Sequence, residues 1–236
     1  MTGSPRTVAI LAYHKIGRPP NGGWDTWFFV SEEIFAGHLA SLRESGWTVL
    51  GLSAFLRGLD DPATLPDKGV LLTFDDGYRS TRTVALPWLR RFSYPAVVFV
   101  PTDFVGRCNS FDNNEPDEPL CDWDDLRALA LAGIAVQSHG ASHRSFADLL
   151  RAEMDDEIRR SKQVLEDGLD QAVVMLAYPY GDGGPDGLAP TLLERAGYRA
   201  ACRYKGGRFR VPVADRFRLR RVAMGPDTDL GRALGG

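Results

Sequence analysis

The chain has 236 residues, of which 44% are hydrophobic and 25% charged, a composition typical of a folded globular protein and not of a disordered one. The formal net charge is −3, and the richest basic stretch, residues 208–221, is interrupted by apolar residues and Asp215, so no nucleic-acid partner is expected. No apolar run reaches the roughly 18 residues that a transmembrane helix needs, so no transmembrane segment is expected.

The length predicts a single domain over residues 1–236, and the sequence leaves the oligomeric state open. The N-terminal apolar run, residues 8–12, is too short for a signal peptide, so a cytoplasmic protein is expected if Met1 is the native start. The three cysteines lack CxxC spacing, which argues against a thiolate zinc site and a complete disulfide framework. A disulfide between Cys108 and Cys121, which would cross-link the loop that contains both, remains an open alternative.

Strand-like and helix-like patterns alternate along the first half of the chain. A strand is predicted over residues 8–13, and a helix over residues 31–45 has Ser31 as its N-cap and Gly46 at its end. The following predicted elements are a strand over 47–52, a short helix over 53–59, a strand over 69–74, a helix over 80–92 that kinks near Pro87, and a strand over 96–100.

A polar loop, residues 104–122, separates these elements from the second half, and its length calls for a functional explanation or disorder. The elements predicted after it are a helix to Ala132 capped by Asp122 or Asp124, a strand over 134–137, a helix over 146–165, a strand over 173–178, a helix over 190–196, a strand over 198–202 and a closing strand over 217–224. This alternation is typical of βαβ units and predicts a parallel α/β barrel, with a doubly wound open sheet as the alternative.

Two adjacent carboxylates, Asp75 and Asp76, directly follow the apolar run 69–74. Paired acids at the end of a buried strand cost several kcal/mol unless a cation or a shared proton compensates them. His139 and His143 follow another predicted strand, and the ends of parallel strands meet at one edge of a sheet. Either pair alone often belongs to a solvated turn or lies on the surface by chance. Their shared placement at one edge of the sheet favours a functional site.

Carboxylate and imidazole groups are good zinc ligands, and catalytic zinc commonly keeps three protein ligands and one open position for water. Asp76, His139 and His143 would supply such a set. Asp75 is then free to take a proton from water as a general base, because a metal makes hydroxide available near neutral pH. The sequence therefore indicates a divalent-metal hydrolase.

Three segments carry a family resemblance. They are TFDDG at residues 73–77, SHGASH at residues 138–143 and YPYG at residues 178–181. In this order they resemble the first three motifs of the polysaccharide deacetylases with a NodB homology domain, carbohydrate esterase family 4. Residues 12–16 and 30–47 further resemble the branch that includes the poly-N-acetylglucosamine deacetylases, so the similarity covers about residues 8 to 224.

The resemblance implies a distorted (β/α) barrel of seven or eight parallel strands. It implies Asp75 as the base and Asp76, His139 and His143 as ligands of zinc or a similar divalent ion such as cobalt or nickel. The implied reaction is hydrolysis of the N-acetyl group of an amino sugar, which releases acetate and leaves a free amine.

Two positions depart from the family pattern. Ala177 stands where many members have an arginine that orients the base, and Arg220 or Arg221 is the candidate replacement. Around residues 219–221 there is no histidine, although the family places its proton donor there. His14, at the end of the first strand, is the candidate acid, with a structural role as an equal alternative.

Further substrate contacts are expected around this edge. Tyr180 matches the position whose backbone N–H holds the tetrahedral oxyanion, and Pro179 beside it is assigned to substrate binding. Trp24 could stack on a sugar ring, with packing as the alternative. Asn109 could hydrogen-bond a saccharide, and Arg221 is also a candidate substrate contact.

The expected function is therefore metal-dependent de-N-acetylation of an N-acetylated amino sugar in a glycan, a lipid-linked saccharide or a glycoside. One alternative is an amidase that acts on a non-carbohydrate N-acyl or cyclic imide substrate. The other is a non-catalytic carbohydrate-binding barrel, which the complete acid and ligand set argues against.

Overall fold

The computed structural model describes residues 6–185 and 187–235. Its apolar runs form one large curled sheet and a small two-stranded sheet. The strands are β1 Arg6–Tyr13, β2 Lys15–Ile16, β3 Phe29–Val30, β4 Thr48–Val49, β5 Lys68–Phe74, β6 Val97–Val100, β7 Ala135–Ser138, β8 Met175–Ala177, β9 Ala200–Cys202, β10 Phe209–Val211 and β11 Val222–Ala223.

The large sheet has the strand order β10-β1-β5-β6-β7-β8-β9, and β4 and β11 pair with β5 and β1 beside this path. All neighbours from β1 to β9 are parallel, with β1 and β5 in register from Thr7 opposite Lys68 to Tyr13 opposite Phe74. The predicted α/β distorted barrel is confirmed as a curled, mostly parallel half-barrel. The short strand β10 is antiparallel to β1 and was not predicted from the sequence.

The helices mostly follow the predicted pattern. They are α1 Glu32–Glu44, α2 Leu52–Asp60, α3 Leu86–Phe92, α4 Trp123–Leu131, α5 Arg151–Leu169, α6 Leu188–Arg195 and α7 Leu230–Ala233. The side chain of Ser31 accepts the N–H of Ile34, and Asp122 forms a capping box with Asp125. Pro87 lies in the first turn of α3, directly after a π-helical turn over Thr81–Ala85.

Two predicted elements differ from the structure. The helix predicted over 146–165 is a 3₁₀ turn, Phe146–Asp148, followed by α5, because Leu149 and Leu150 have extended backbones between them. The closing strand predicted over 217–224 is shorter, since only β11 is a regular strand. Leu219 bridges Cys202 of β9, and the next residues pair with β1. Residues 219–223 therefore span the gap between two edges of the curled sheet.

Side chains along the strands alternate between two apolar layers, as the pleat requires. Val8 and Ile10 of β1 point into one layer, which α2 also fills with Phe55, while Ala9 and Leu11 point into the other. Within the described residues, none of the helices is both long and apolar enough to cross a lipid bilayer. The single domain over residues 1–236 stays a prediction.

The disulfide left open by the sequence is not formed. Cys108, Cys121 and Cys202 are all free thiols. Cys108 is exposed, whereas Cys121 is buried with its Sγ 3.6 Å from the carbonyl oxygen of Tyr78. The loop that contains both residues is held by other contacts, described below.

Candidate active site

The acid pair lies where β5 ends. The Asp75 N–H donates to the carbonyl of Tyr13 at 2.9 Å, which continues the β1–β5 ladder by one residue. Asp76 and Gly77 then both have left-handed backbones, with φ of 67° and 70°. Aspartate and glycine are among the few residues that adopt this conformation readily, so the sequence Asp-Asp-Gly suits the turn that presents both carboxylates.

Asp76 and the two histidines converge on one point. Asp76 Oδ1 lies 3.2 Å from Nε2 of His139 and 3.1 Å from Nε2 of His143. All three side chains are buried, and their ligand atoms lie within 4.8 Å of one another. Burial would raise the pKa of Asp76, but its hydrogen bonds to both imidazoles hold that pKa well below the usual value.

The two histidine rings are held in fixed orientations that suit metal binding. His139 Nδ1 donates to the carbonyl oxygen of Ala177 at 2.7 Å. This bond fixes the ring with Nε2 toward Asp76, so Nε2 is the atom of His139 that would ligate a metal ion. The backbone of His143 is left-handed, with φ of 58°, and its ring lies against Phe111 with a centroid distance of 4.0 Å. The donor set of two imidazoles and one carboxylate fits a divalent ion such as zinc.

A buried acid that the sequence pattern did not single out shapes the segment between the histidines. Glu157 of α5 accepts the N–H of Ala141 at 2.6 Å and both the N–H and the hydroxyl of Ser142, at 2.9 and 2.5 Å. Its position on the buried face of an amphipathic helix is the only signal that could have identified it. Glu157 therefore fixes the turn on which His143 depends.

Asp75 is held by a bidentate ion pair. Arg221 donates from Nη1 to Asp75 Oδ1 at 2.7 Å and from Nη2 to Oδ2 at 2.6 Å. Burial would raise the pKa of Asp75, but the Arg221 guanidinium keeps it below its usual value. Arg221 is itself fully buried and also donates from Nε to the carbonyl of Arg203 at 2.7 Å. Arg221 is not among the residues that line the cavity, and its expected contact with substrate stays a prediction.

His14 lies in the same cavity as the acid pair. Its Nε2 is 3.9 Å from Asp75 Oδ2, and its ring packs against Phe28 and Tyr204 at centroid distances of 4.7 and 5.2 Å. Nδ1 is buried and has no hydrogen-bond partner among residues 6–185 and 187–235. Burial lowers the pKa of His14 despite the nearby carboxylates, which favours the neutral imidazole.

Tyr180 lies on a 3₁₀ turn, Pro179–Gly181, that follows β8. Its backbone is left-handed with φ of 57°, and its half-exposed side chain donates from its hydroxyl to the carbonyl of Phe111 at 3.4 Å. Pro179 is buried behind the turn and packs near Gly140, so the structure does not place it on the cavity surface.

Two expected substrate contacts also lie outside the cavity lining. Trp24 is 54% exposed on the surface of its loop, and its neighbour Phe28 lines the cavity instead. Asn109 is buried, its amide donating to the carbonyl of Pro116 at 3.1 Å and accepting the N–H of Glu118 at 2.7 Å. These bonds occupy the amide within its own loop.

That loop is attached to the rest of the molecule by a buried ion pair. Lys15 Nζ lies 2.6 Å from Glu115 Oε2, which also accepts the hydroxyl of Thr26 at 2.6 Å. The ammonium group also lies over the rings of Phe29 and Tyr78, at 4.6 and 4.9 Å from their centroids. The pair joins residues 100 positions apart, which sequence patterns could not indicate.

All these elements surround one cavity of about 760 Å³. His14, Asp75, Asp76, His139, His143 and Tyr180 line it. The wall that the sequence did not predict is formed in part by Tyr204 and by basic residues from the segment after β9.

A family model described as "Polysaccharide deacetylase" matches residues 63–201, more than half of the chain, and this range contains both acids and both histidines. The chain belongs to the polysaccharide deacetylase family. The family named from three sequence motifs is thereby confirmed.

Among the relatives in this family, the Bacillus subtilis (strain 168) protein YxkH is 24% identical over 198 residues, which cover 84% of this chain and 64% of YxkH. The poly-beta-1,6-N-acetyl-D-glucosamine N-deacetylase of Escherichia coli (strain K12) is 32% identical over 96 residues, 39% of this chain and 14% of that enzyme. The chain thus spans less than two thirds of either relative. The Streptococcus pyogenes deacetylase PplD, solved with acetate, has the same fold, with a TM-score of 0.81, 21% identity and 95% of each chain covered.

Proposed function

We propose that this protein is a metal-dependent hydrolase that removes the N-acetyl group of an amino sugar and releases acetate. The observation that carries the proposal is the meeting of two groups of residues in one cavity: the cluster of Asp76, His139 and His143, and the buried Asp75–Arg221 pair. The substrate class is supported by family membership and by the E. coli relative, whose name assigns it to poly-N-acetylglucosamine.

Asp76, His139 and His143 would hold the divalent ion, for which zinc, cobalt and nickel are the candidates. When bound, the ion supplies Lewis acidity, which makes water more acidic and polarises a carbonyl oxygen. The second nitrogen of His139 is held by the Ala177 carbonyl, a typical arrangement for a ligating histidine.

Asp75 would accept the proton of the attacking water. A general base must be ionised before it can act, and the Arg221 guanidinium favours the ionised form in a buried place. Arg221 thus takes the place of the arginine that the family pattern expects where this chain has Ala177. Its two hydrogen bonds also fix the orientation of the carboxylate.

The leaving nitrogen must gain a proton, and His14 would deliver it. Because burial favours neutral His14, the imidazole is suited to receive the proton from Asp75, 3.9 Å away, and to pass it on. The backbone N–H of Tyr180 would donate to the oxyanion of the tetrahedral intermediate. His14, Asp75 and Tyr180 all line the same cavity, which supports a shared role for them.

The test measures acetate release by zinc-loaded protein from N-acetylglucosamine and N-acetylgalactosamine oligomers, nucleotide sugars and simple glycosides. Release should disappear in D75N, which keeps the side-chain volume and the metal ligands. N-acyl amino acids and cyclic imides are included as non-sugar substrates. Hydrolysis of those alone would replace the proposal with an amidase, and saccharide binding without any hydrolysis would replace it with a non-catalytic barrel.

A further inference from the structure

Positive charge is concentrated on one wall of the catalytic cavity. Four cationic side chains line that wall: Arg203, Lys205, Arg218 and Arg220. All four come from the segment that follows β9 and leads toward β11. The chain as a whole has a net charge of −3, so this concentration is a local property of the site.

The carboxylates of the same cavity do not balance this basic wall. They are Asp75, Asp76, Asp112 and Glu115. Buried Arg221 already pairs with Asp75, and buried Lys15 already pairs with Glu115. Asp76 lies among the candidate metal ligands. Arg218 lies beside Asp215, so Asp112 is the one lining carboxylate, within the described chain, left to face the other three cations, Arg203, Lys205 and Arg220.

Three of the four cations are also available to a ligand. Arg203, Lys205 and Arg220 are exposed, and no described carboxylate lies within ion-pair distance of them. Arg218 differs from these three, because it lies 3.8 Å from Asp215. Charges of one sign at the mouth of a cavity with low-dielectric walls focus the field and attract counter-ions.

The positive surface continues beyond the cavity. A second groove of about 910 Å³ shares Arg218 and Arg220 with the first and is also lined by Arg208 and Arg210. Arg208 is anchored by a bond from its Nη1 to the carbonyl of Leu234 at 2.6 Å, while Arg210 is exposed. A saccharide longer than one unit would therefore extend along basic residues.

We propose that this basic wall binds an anionic group of the substrate, so that the acceptor is an N-acetylated saccharide whose neighbouring unit carries a phosphate or a carboxylate. The inference rests on the proposed function and narrows its substrate class. It also implies that a glucosamine polymer with many free amines, which is cationic, binds poorly.

The test compares substrates of equal length that differ in charge. One is the neutral N-acetylglucosamine tetrasaccharide, one alternates N-acetylglucosamine with glucuronate, and one carries a phosphodiester beside N-acetylglucosamine. Wild-type protein is compared with the double variant R203Q/R220Q and with R195Q. Arg195, at the C-terminal end of α6, is exposed and lies outside both grooves, so it controls for the loss of a surface charge.

We expect the wild type to prefer one anionic substrate over the neutral one by about tenfold in kcat/KM, and the better anion tells phosphate from carboxylate. Each exposed charge contributes roughly two- to fivefold, so the double variant should lose roughly 4- to 25-fold on the anionic substrate alone, mainly through KM. The preference should also fall as salt rises from roughly 20 to 300 mM. Equal kcat/KM for neutral and anionic substrates, or equal losses on both, would overturn the inference.

A binding measurement separates this inference from the proposed function. If no saccharide releases acetate, the proposed function fails, and calorimetry with the two anionic saccharides still tests the wall. Salt-sensitive binding that R203Q/R220Q weakens by roughly 4- to 25-fold and R195Q preserves would support the anion site. Binding that is absent, or that ignores both salt and the double variant, would refute it.

Discussion

The guanidinium of Arg221 and the carboxylate of Asp75 form two parallel hydrogen bonds, 2.7 and 2.6 Å long, in a place that solvent does not reach. A bidentate ion pair of this kind stabilises the negative charge of the carboxylate and fixes its orientation. The protonation state of the proposed base, Asp75, therefore depends on a residue 146 positions away in the sequence.

Replacing Arg221 with methionine should shift the pH dependence of catalysis. Burial would then raise the pKa of Asp75 against the weaker opposition of His139 and His14 alone, so the acidic limb of kcat/KM should move to higher pH. At neutral pH, kcat/KM should fall by about a hundredfold or more, because less base is ionised and its orientation is lost. The measurement is a pH profile of acetate release by metal-loaded R221M.

The adjacent arginine provides the matched control. R220M removes an exposed charge that does not contact Asp75, so on a neutral substrate its acidic limb should stay in place. R221M should also unfold more easily, by about 3–5 kcal/mol, because it leaves a buried carboxylate unpaired. An acidic limb that is the same in R221M and wild type would show that Asp75 is not the titrating base.

Metal binding should stabilise the folded protein. An ion that binds only the folded state adds about 2.7 kcal/mol when its free concentration is 100 times Kd. We expect a chelator to abolish acetate release and lower the Tm, and zinc, cobalt or nickel to restore both. In H143A the ion should leave the Tm unchanged, and a Tm that still rises there would place the ion elsewhere.

Glu157 should act on catalysis through the metal. E157Q loses the charge that holds Ala141 and Ser142, which loosens the turn before His143. Because partners behind ligating residues are worth about 10–100-fold in metal affinity, we expect a loss of that size in a competition assay with a coloured chelator. Excess zinc should recover most of kcat.

The control on the same helix is D167N, which alters an exposed acid that accepts the amide of Gln163. Its metal affinity should match wild type. If E157Q bound metal normally and still lost activity, Glu157 would have a role in the reaction other than holding the turn.

The two glycines Gly181 and Gly187 allow a test of the Tyr180 turn. Both have left-handed backbones, but a Cβ at Gly181 would lie 2.6 Å from the backbone nitrogen of Tyr204, whereas a Cβ at Gly187 meets nothing within 4 Å. G187A should show only the strain of about 1–3 kcal/mol that such a backbone costs. G181A must in addition displace the turn.

If the Tyr180 N–H holds the oxyanion, G181A should lower kcat by about 10²–10³-fold with a smaller change in KM. Y180A should be much milder, because the donor belongs to the main chain. A loss in Y180A as large as in G181A would instead assign the role to the side chain.

The buried pair of Lys15 and Glu115 should hold the long loop over the cavity. K15M leaves Glu115 buried without its partner, which should cost about 3–5 kcal/mol and increase hydrogen exchange in residues 106–120. The double variant K15M/E115M should recover most of the stability, since an apolar pair often replaces a buried ion pair without loss. Equal stability of K15M and wild type would contradict this.

The parts of the site that the sequence predicted are local. Asp75, Asp76, His139 and His143 stand directly after apolar runs, and parallel strands bring their carboxyl ends to one edge whatever their exact lengths. The strand alternation that predicted the barrel rests on the same local pattern. The residue types of the site and their placement at one sheet edge could therefore be predicted without knowledge of any side-chain contact.

The missing parts depend on contacts between distant segments. The sequence offered Arg220 or Arg221, but neighbouring residues on an extended chain face opposite sides, and which one faces inward depends on how residues 219–223 cross between the edges. Glu157 and Lys15 are identified only by the partners that the fold brings to them. Tryptophan occurs in packed interiors, on exposed surfaces and in sugar-stacking sites, so the residue type of Trp24 could not predict which of these roles it has.

The segment of residues 219–223, which spans the sheet edges, also determines whether the Asp75–Arg221 pair can form. Arg221 lies between two pairings, that of Leu219 with Cys202 of β9 and that of Val222 with Leu11 of β1. Asp75 is therefore joined to its arginine by the same pairings that bring the two sides of the curled sheet together. Any loosening of residues 219–223 would separate the pair and leave a buried carboxyl without its cation, which favours the protonated form. Closure of the sheet and ionisation of the proposed base are thus a single structural event.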